Sequence, residues 1–527
     1  MSGALSGTME VRKHVVRTAG GVVASQHRQA AEAGAEVLRA GGDAVDAAVA
    51  CGFVCGVLEP WMSGPAGGGA AMHWRADTGE AHALNFGMKA PSALRVEDFP
   101  LSGEGVAGDL FPWDRVIEDR NVLGAKAVAV PAMVDGLEAP HQRWGRLPWA
   151  ELLAPAIAHA RAGMEVDWYA ALIIASTTRE LAKDRDAAAL FLEDGQWPTI
   201  SGWTALAEKR LDQARMADSL DQIARHGARA LYDGDLGVAM AADMQAKGGS
   251  LSHDDLRGYE AVFRDPLRVA YRGARFDVLP GLTAGPTFAH ALRVMEGREM
   301  GAAPGAEAFA AYADGLNAAY AERLETMGDS GESEAHEGCT THFSVVDRDG
   351  NMVAQTQTLL SIFGARVVSP STGFTMNNGI MWFDPVPGRP NSLAPGKRCL
   401  MNVCPILGDA GGARLAFGAS GGRKIVSAMV QLASFVADYG MEIGAAFHHP
   451  RIDVSGGAAV VADETLPPEV LARLRAEHVV HTTRRSPFPY AFACPAGVMR
   501  RGTVNTGCTE IMSPWGDAVA EEKTGQP

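Results

Sequence analysis

The sequence predicts an α/β fold in which a helical first part passes abruptly into a strand-rich last part. Three observations predict it. Residues 130–330 carry a series of helical patterns, most closed by glycine. Residues 328–339 (GDSGESEAHEGC) then form a polar stretch with almost no apolar residue, the composition of an exposed loop. Residues 341–362 (THFSVVDRDGNMVAQTQTLLSI) alternate and are rich in Val, Thr and Phe around Asp349-Gly350, a β-hairpin signal.

The elements follow in order. QHRQAAEAGAEVLRA (26–40) reads as an Ala-rich helix stopped by Gly41-Gly42. Asp43 is placed to cap a second helix, AVDAAVACGFVCGVL, which is apolar nearly all round and so expected to be buried. EPWMSGPAGGGAAMHW leads into a strand. Its Gly67-Gly68-Gly69 run suggests close backbone approach, since it lacks the Lys-Ser/Thr of a phosphate loop and the strand–turn–helix setting of a dinucleotide fingerprint. Helical patterns follow at LPWAELLAPAIAHARAG, SLDQIARHGARALYDG and DLGVAMAADMQAKGG, then at SHDDLRGY with Ser252 as N-cap, and at residues 306–327. After the hairpin, strand-like pieces are expected at 365–378, 401–407 and 413–418. A helix, RKIVSAMVQLASFVADYG, follows Gly421-Gly422. No internal repeat is visible.

Composition limits the function. The 527 residues are 47% hydrophobic and 21% charged, enough apolar content for a buried core and against disorder as the main state. The 47 Lys and Arg against 62 Asp and Glu give a net charge of −15, which argues against nucleic-acid and membrane partners, since both need a basic face. The first residues show no apolar core of signal-peptide length, and no run reaches the roughly 18 apolar residues of a spanning helix. The chain reads as soluble and cytoplasmic. Seven cysteines, an odd number and few for the length, argue against a disulfide framework. Cys51 and Cys55, four apart in a helical stretch, read as buried thiols, and no His or Cys set has zinc-site spacing. His448-His449 reads as a structural loop-end pair.

The chemistry concentrates where the polar loop runs into the hairpin, at Thr340-Thr341-His342. If the loop is cut before Thr340, a free α-amine lies beside a threonine hydroxyl at the end of a rigid strand. The ordinary pKa of that amine is about 7.7–8.0, so it can take the hydroxyl proton without a separate histidine. With Asp349-Gly350 as a two-residue turn, Thr341 faces Thr358 and Thr340 faces Leu359; a longer turn shifts this by one. In either register Thr358 lands beside Thr340 and can orient the amine or the hydroxyl. Gly421-Gly422, between a strand and a helix, offers backbone N–H groups suited to an oxyanion.

These pieces together resemble the γ-glutamyltranspeptidase family of N-terminal nucleophile hydrolases. TTHFSVVDRDGN resembles the family's autoprocessing site and nucleophile strand. ASQHRQAAEAGAEVLRAGGDAVDAAVA resembles its N-terminal helical pair, and EPWMSGPAGGG its glycine-rich segment. NNGIMWFDP, APGKR and GASGGRKI follow in the family's order, so that the resemblance covers about residues 20–515. It implies a four-layer αββα sandwich and cleavage between Cys339 and Thr340. The products would be a large subunit, residues 1–339, and a small subunit, residues 340–527, intertwined in one fold. Thr340 matches the nucleophile, Thr358 the assisting threonine, and Gly421 and Gly422 the oxyanion hole. No metal or organic cofactor is implied, and a homodimer of processed heterodimers is compatible with the sequence.

The departures concern the substrate. The family's glutathione-type members hold the γ-glutamyl α-carboxylate with an arginine in a motif read as Asp-Phe-Arg-Glu-Met-Ala-Pro. Here Asn85-Phe86-Gly87-Met88-Lys89-Ala90-Pro91 puts Gly87 in that place. The Asn two residues past the assisting threonine is Leu360. The Gln and Asp that hold the α-amino group fall at Gly379 and Trp382, and two carboxylate-binding serines at Met401 and Asn402. Losing a buried Arg–carboxylate contact without replacement costs about 3–5 kcal/mol, more than a hundredfold in affinity. Lys89, Arg366 and Arg423 are the nearby cations that could replace it. The segment between Asp384 and Ala394 is also shorter than the family's usual lid. The expected function is an autoprocessing N-terminal-threonine amidohydrolase acting on a small-molecule amide through an acyl-enzyme. Its acyl part would be apolar, or a small acid without the α-amino-acid end. The alternatives are a γ-glutamyltransferase or glutathione hydrolase with a rebuilt clamp and, in another class, a non-catalytic binding scaffold.

Overall fold

The computed structural model describes residues 12–106, 113–201, 208–327, 339–455, 457 and 459–522. The polar stretch 328–338 and the side chain of Cys339 lie outside the described residues.

Two seven-stranded sheets stack on one another. The strands that build them are β1 Val16–Thr18, β2 Val22–Ser25, β3 Gly68–Arg75, β4 Glu80–Phe86, β5 Val262–Arg264, β6 Leu267–Tyr271, β7 Ala274–Val278, β8 Cys339–Val346, β9 Met352–Leu360, β10 Ile406–Ala410, β11 Ala413–Ser420, β12 Cys494–Arg501, β13 Val504–Thr509 and β14 Asp517–Ala520. The first sheet runs β5-β4-β3-β9-β8-β2-β14 and the second β1-β13-β12-β11-β10-β7-β6. The helices that matter below are α1 Arg28–Arg39, α2 Ala44–Leu58, α3 Gly285–Glu296, α4 Ala306–Thr326 and α5 Lys424–Ala437.

α1 and α2 cover the outer face of the first sheet, α3 and α5 lie on the outer face of the second, and α4 packs over both of those helices. The layers are therefore αββα, as the resemblance implies. Each sheet takes strands from both sides of residue 340, so the two prospective subunits interleave.

Local chemistry explains the elements. Asp43 accepts the N–H groups of Val45 and Asp46, and Asp46 reciprocates to the Asp43 N–H, a complete capping box that starts α2. Every residue of α2 is buried, because it lies between α1, the helix Trp149–Ala162 and the first sheet. Ser252 caps its short helix in the same way. Cys51 and Cys55 are free buried thiols, and His448 and His449 bond to backbone groups.

Three expectations need correction. Residues 365–378 form no strand: one isolated bridge joins Val368 to Thr375, and left-handed backbone at Phe363, Gly364 and Arg366 breaks the extended run. In 401–407 the strand begins only at Ile406. Within 130–330, β5, β6 and β7 were missed; they are short and lie between helices, β5 pairing with β4, β7 with β10, and β6 with β7 across Arg272-Gly273.

Candidate active site

β8 and β9 form the expected hairpin, but the connection is longer than two residues. The Asp347 carboxylate accepts the Asn351 N–H at 2.9 Å and its Nδ2 at 2.7 Å, and Gly350 adopts φ 92°. Thr341 accordingly faces Gln357 rather than Thr358, and a bulge between Cys339 and Thr341 lets Cys339 face Leu360. The one-residue shift and the bulge bring Thr340 to Thr358: the Thr340 hydroxyl donates to Thr358 Oγ1 at 3.4 Å. Both threonines are buried, and Thr358 Oγ1 also accepts the Leu360 N–H at 2.8 Å. Leu360 takes φ 89°, a left-handed conformation that costs a leucine about 1–3 kcal/mol. That strain sits opposite Cys339.

The glycine run makes this geometry possible. A Cβ on Gly67 would stand 2.5 Å from the Thr358 carbonyl oxygen, and one on Gly69 would overlap the Thr356 carbonyl oxygen. β3 can pair with the threonine-bearing strand only without side chains there. On the other side of the hairpin, His342 packs directly over Gly418 of β11, where any Cβ would enter the ring. Its Nδ1 bonds Thr356 Oγ1 at 2.8 Å and its Nε2 bonds Ser344 Oγ at 3.0 Å. Burial lowers its pKa to about 3, so this histidine, two residues from Thr340, is neutral and committed to hydroxyl partners.

Alternation along β8 points Thr341 to the opposite face, toward α2. There its hydroxyl donates to Glu59 Oε2 at 2.7 Å. Glu59 is buried, and desolvation raises its carboxyl to about pKa 7, with the Thr341 hydrogen bond opposing. Sequence reasoning missed Glu59. The available signal was a carboxylate closing the C-terminal end of a helix whose last three turns are apolar. It also passed over Asn377, whose amide donates to the carbonyls of Ala66 and Ala129 and accepts the N–H groups of Ala129 and Gly379. One side chain thus ties the glycine-rich segment to the 379–382 turn.

Gly421 and Gly422 follow β11 with φ 129° and 57°, and a Cβ on Gly421 would lie 2.9 Å from Ala493 Cα. They lead into α5, as the sequence suggests.

Of the positions expected to contact substrate, Leu360 ends β9, and Gly379 follows Asn378, whose N–H donates to the Leu359 carbonyl at 3.1 Å. A Cβ on Gly87 would lie 2.9 Å from Met401 Cε, so Met401 occupies the space that a longer residue at 87 would need. Gly379 packs against Ala129 and Met88, and its carbonyl accepts the Cys399 thiol at 3.2 Å. Leu360, Trp382 and Met401 are buried. Asn402 Oδ1 accepts from Arg323 at 2.9 Å. Of the cations considered, Lys89 stands over the Tyr259 ring, 5.6 Å from its centroid and beside Arg398, and Arg366 donates to the Gly364 carbonyl on the rim of a different cavity. Arg423 lies directly after the glycine pair, its guanidinium 5.8 Å from the centroid of the Tyr320 ring.

A four-layer αββα sandwich with a hydroxyl residue at the start of an inner strand is the architecture of an N-terminal nucleophile hydrolase. The chain belongs to the gamma-glutamyltranspeptidase family. The family model described as Gamma-glutamyltranspeptidase matches residues 30–339 and 330–494. Among curated relatives, the Acylase ACY 1 proenzyme of Pseudomonas sp. (strain V22) is 34% identical over 89% of this chain and 88% of its own length. The Glutathione hydrolase proenzyme of Escherichia coli (strain K12) is 30% identical over 83% of this chain and 81% of its own. The crystal structure of cephalosporin acylase from Bacillus halodurans superposes with a TM-score of 0.85 at 26% identity, covering 99% of this chain and all of that one. The protein is an enzyme of this amide-hydrolysing and acyl-transferring family, and relatives of both kinds are made as proenzymes.

Proposed function

We propose that the chain cuts itself before Thr340 and then hydrolyses a small-molecule amide whose acyl part lacks an α-amino-acid end. In the first reaction the Thr340 hydroxyl adds to the Cys339 carbonyl carbon, and the Cys339–Thr340 C–N bond breaks to leave an ester and a free α-amine. Water then cleaves the ester, restoring the hydroxyl. In the second reaction the amine takes the hydroxyl proton, Thr340 Oγ1 attacks the substrate carbonyl, and the proton passes to the leaving amine. Water or another amine releases the acyl group. Thr358 orients the hydroxyl, and the N–H groups of Gly421 and Gly422 receive the oxyanion.

The observation that carries the substrate reading is Gly87 packed against Met401. The arginine place is closed, and Leu360, Trp382 and Met401 offer an ammonium no counter-charge. The test compares kcat/KM for γ-glutamyl-p-nitroanilide with the butyryl, valeryl and glutaryl anilides. We expect the γ-glutamyl compound to be the poorest; a tenfold advantage for it would replace this reading with a rebuilt γ-glutamyl clamp. The cut is tested alongside. Purified protein should run as two fragments, the smaller beginning at Thr340, and Thr340→Ala should remain one chain. An active, uncut chain would remove the amine from the mechanism.

A further inference from the structure

The turn that follows α2 touches both threonine-bearing strands. Glu59, which ends the helix, is 3% exposed. Its Oε2 accepts the Thr341 hydroxyl of β8 at 2.7 Å. Its backbone carbonyl accepts the N–H groups of Met62 at 2.8 Å and Ser63 at 3.1 Å, which closes the turn. The turn then grips β9 on either side of Thr358. The Met62 carbonyl accepts the Leu359 N–H at 3.0 Å, and Ser63 Oγ accepts Gln357 Nε2 at 3.1 Å. Thr341 and Gln357 are cross-strand partners, so one short turn holds both members of the pair next to Thr340 and Thr358.

Thr340 itself sits in the bulge between Cys339 and Thr341, outside the paired register, and its hydroxyl reaches Thr358 at 3.4 Å, near the outer limit of a hydrogen bond. Its placement follows from that of Thr341, the first residue after the bulge. Glu59 is costly where it stands. The C-terminal end of a helix disfavours negative charge, and burial of a carboxyl without a cation disfavours it again. Among the described residues no cation acts on it; the groups that do are the Thr341 hydroxyl and the Cys55 thiol. An apolar side chain would fill the same space more cheaply. What the carboxyl adds is a strong acceptor at the residue next to Thr340. Proteins tolerate such locally unfavourable choices chiefly where the reaction needs them.

We propose that Glu59 is a positioning residue for self-cutting: by holding the Thr341 hydroxyl it fixes the start of β8, so that the bulged Thr340 keeps its hydroxyl against Thr358. Glu59 acts by accepting one hydrogen bond, so an amide oxygen in its place serves in part. This rests on the reading that the chain cuts itself before Thr340, and it adds the second anchor of that geometry, on the face of β8 opposite to His342.

The test follows intact chain over time in freshly synthesised full-length protein, with Tm measured for each variant. Glu59→Leu and Thr341→Val should each slow cutting about a hundredfold, the scale of a misplaced reacting group. Glu59→Gln and Thr341→Ser, which keep an acceptor and a donor, should each cut about tenfold faster than those. The double variant Glu59→Leu/Thr341→Val separates positioning from packing. Replacing both partners of a buried hydrogen bond with apolar groups is close to neutral for stability. The double variant should therefore regain the wild-type Tm and still cut about a hundredfold slowly. A merely structural pair would regain both. Wild-type cutting in Glu59→Leu or in the double variant overturns the proposal. A Glu59→Gln as slow as Glu59→Leu overturns it too, and assigns the carboxyl a charge or proton in the reaction. Should the double variant fail to fold, Thr341→Ala decides: cutting at the wild-type rate overturns the proposal. If the wild type itself stays uncut, the self-cutting reading falls and this proposal with it; if the wild type cuts and the variants keep pace, this proposal alone falls.

Discussion

The hydroxyl of Thr358 is poised between two tasks, accepting from Thr340 and from the Leu360 N–H. Thr358→Val keeps the shape and strand preference but removes both bonds. We expect turnover to fall by about 10²-fold or more with the fold intact, measured as kcat on any accepted anilide. Unchanged turnover would show that Thr358 is packing only. Glu59 adds a pH signature. Its carboxyl is held at about pKa 7 by burial, above the ordinary 4.5, so the folded state binds its proton more tightly than the unfolded state does. The stability this gives is complete below about pH 4.5 and is lost as pH rises through about 7. Over that window it amounts to about 3 kcal/mol. Glu59→Gln should remove the decline, so wild type minus variant Tm should fall between pH 5 and 8. The buried His27, His73 and His342, whose pKa values are lowered to about 3, titrate alike in both proteins and cancel in that difference. A flat difference would mean the Glu59 proton is not coupled to folding. The Thr340–Thr358 contact was legible from the hairpin in either register, whereas the Glu59 contact was not, because Glu59 becomes unusual only when the fold buries it against Thr341.

At the scale of elements, more was legible. Asp43 and Ser252 announced their helices because a cap is a local device, and the hairpin was visible because alternation and Asp349-Gly350 are local as well. Its register was not. It depends on the Asp347 side chain closing a longer loop and on a bulge at Thr340, and neither leaves a pattern in the residues. β5 and β7 escaped for a related reason: they are set by the distant partners β4 and β10, and β6 adds to the edge through β7. The Gly67–Gly69 run was legible as close approach, and the structure shows what approaches. Gly67→Ala would press a methyl against the Thr358 carbonyl, a backbone atom that cannot turn away. We expect the chain to fold with slowed or abolished cutting, read as the fraction of intact chain over time. Gly41→Ala makes the contrast. Gly41 has φ 95° and open space around it, so the change should cost about 1 kcal/mol of stability without slowing the cut. Equal processing in the two variants would show that the spacing of β3 and β9 is unimportant to the reaction.

At the scale of the molecule, interleaving decides what one cut peptide bond can do. In the first sheet β8 and β9, from the prospective small subunit, lie between β2 and β3 from the large one, while β14 closes the edge beyond β2. In the second, β1 pairs with β13, and β7 pairs with β10. Pulling the subunits apart would break ladders at β2–β8, β3–β9, β2–β14, β1–β13 and β7–β10 and expose a core continuous across both. Cutting before Thr340, by contrast, breaks one peptide bond at the start of β8 and none of those five ladders. The processed protein should therefore travel as one particle of about the precursor's 55.4 kDa, or a multiple of it, in the absence of denaturant. It should also unfold in a single cooperative transition in urea, with both subunits lost together. Mixing processed protein with an isotopically labelled copy tests this directly. We expect no exchange of labelled small subunit over days below the transition, and exchange only where unfolding begins. Exchange under native conditions, or two separate transitions, would mean that the subunits hold their own cores and that the interleaved sheets contribute little to stability.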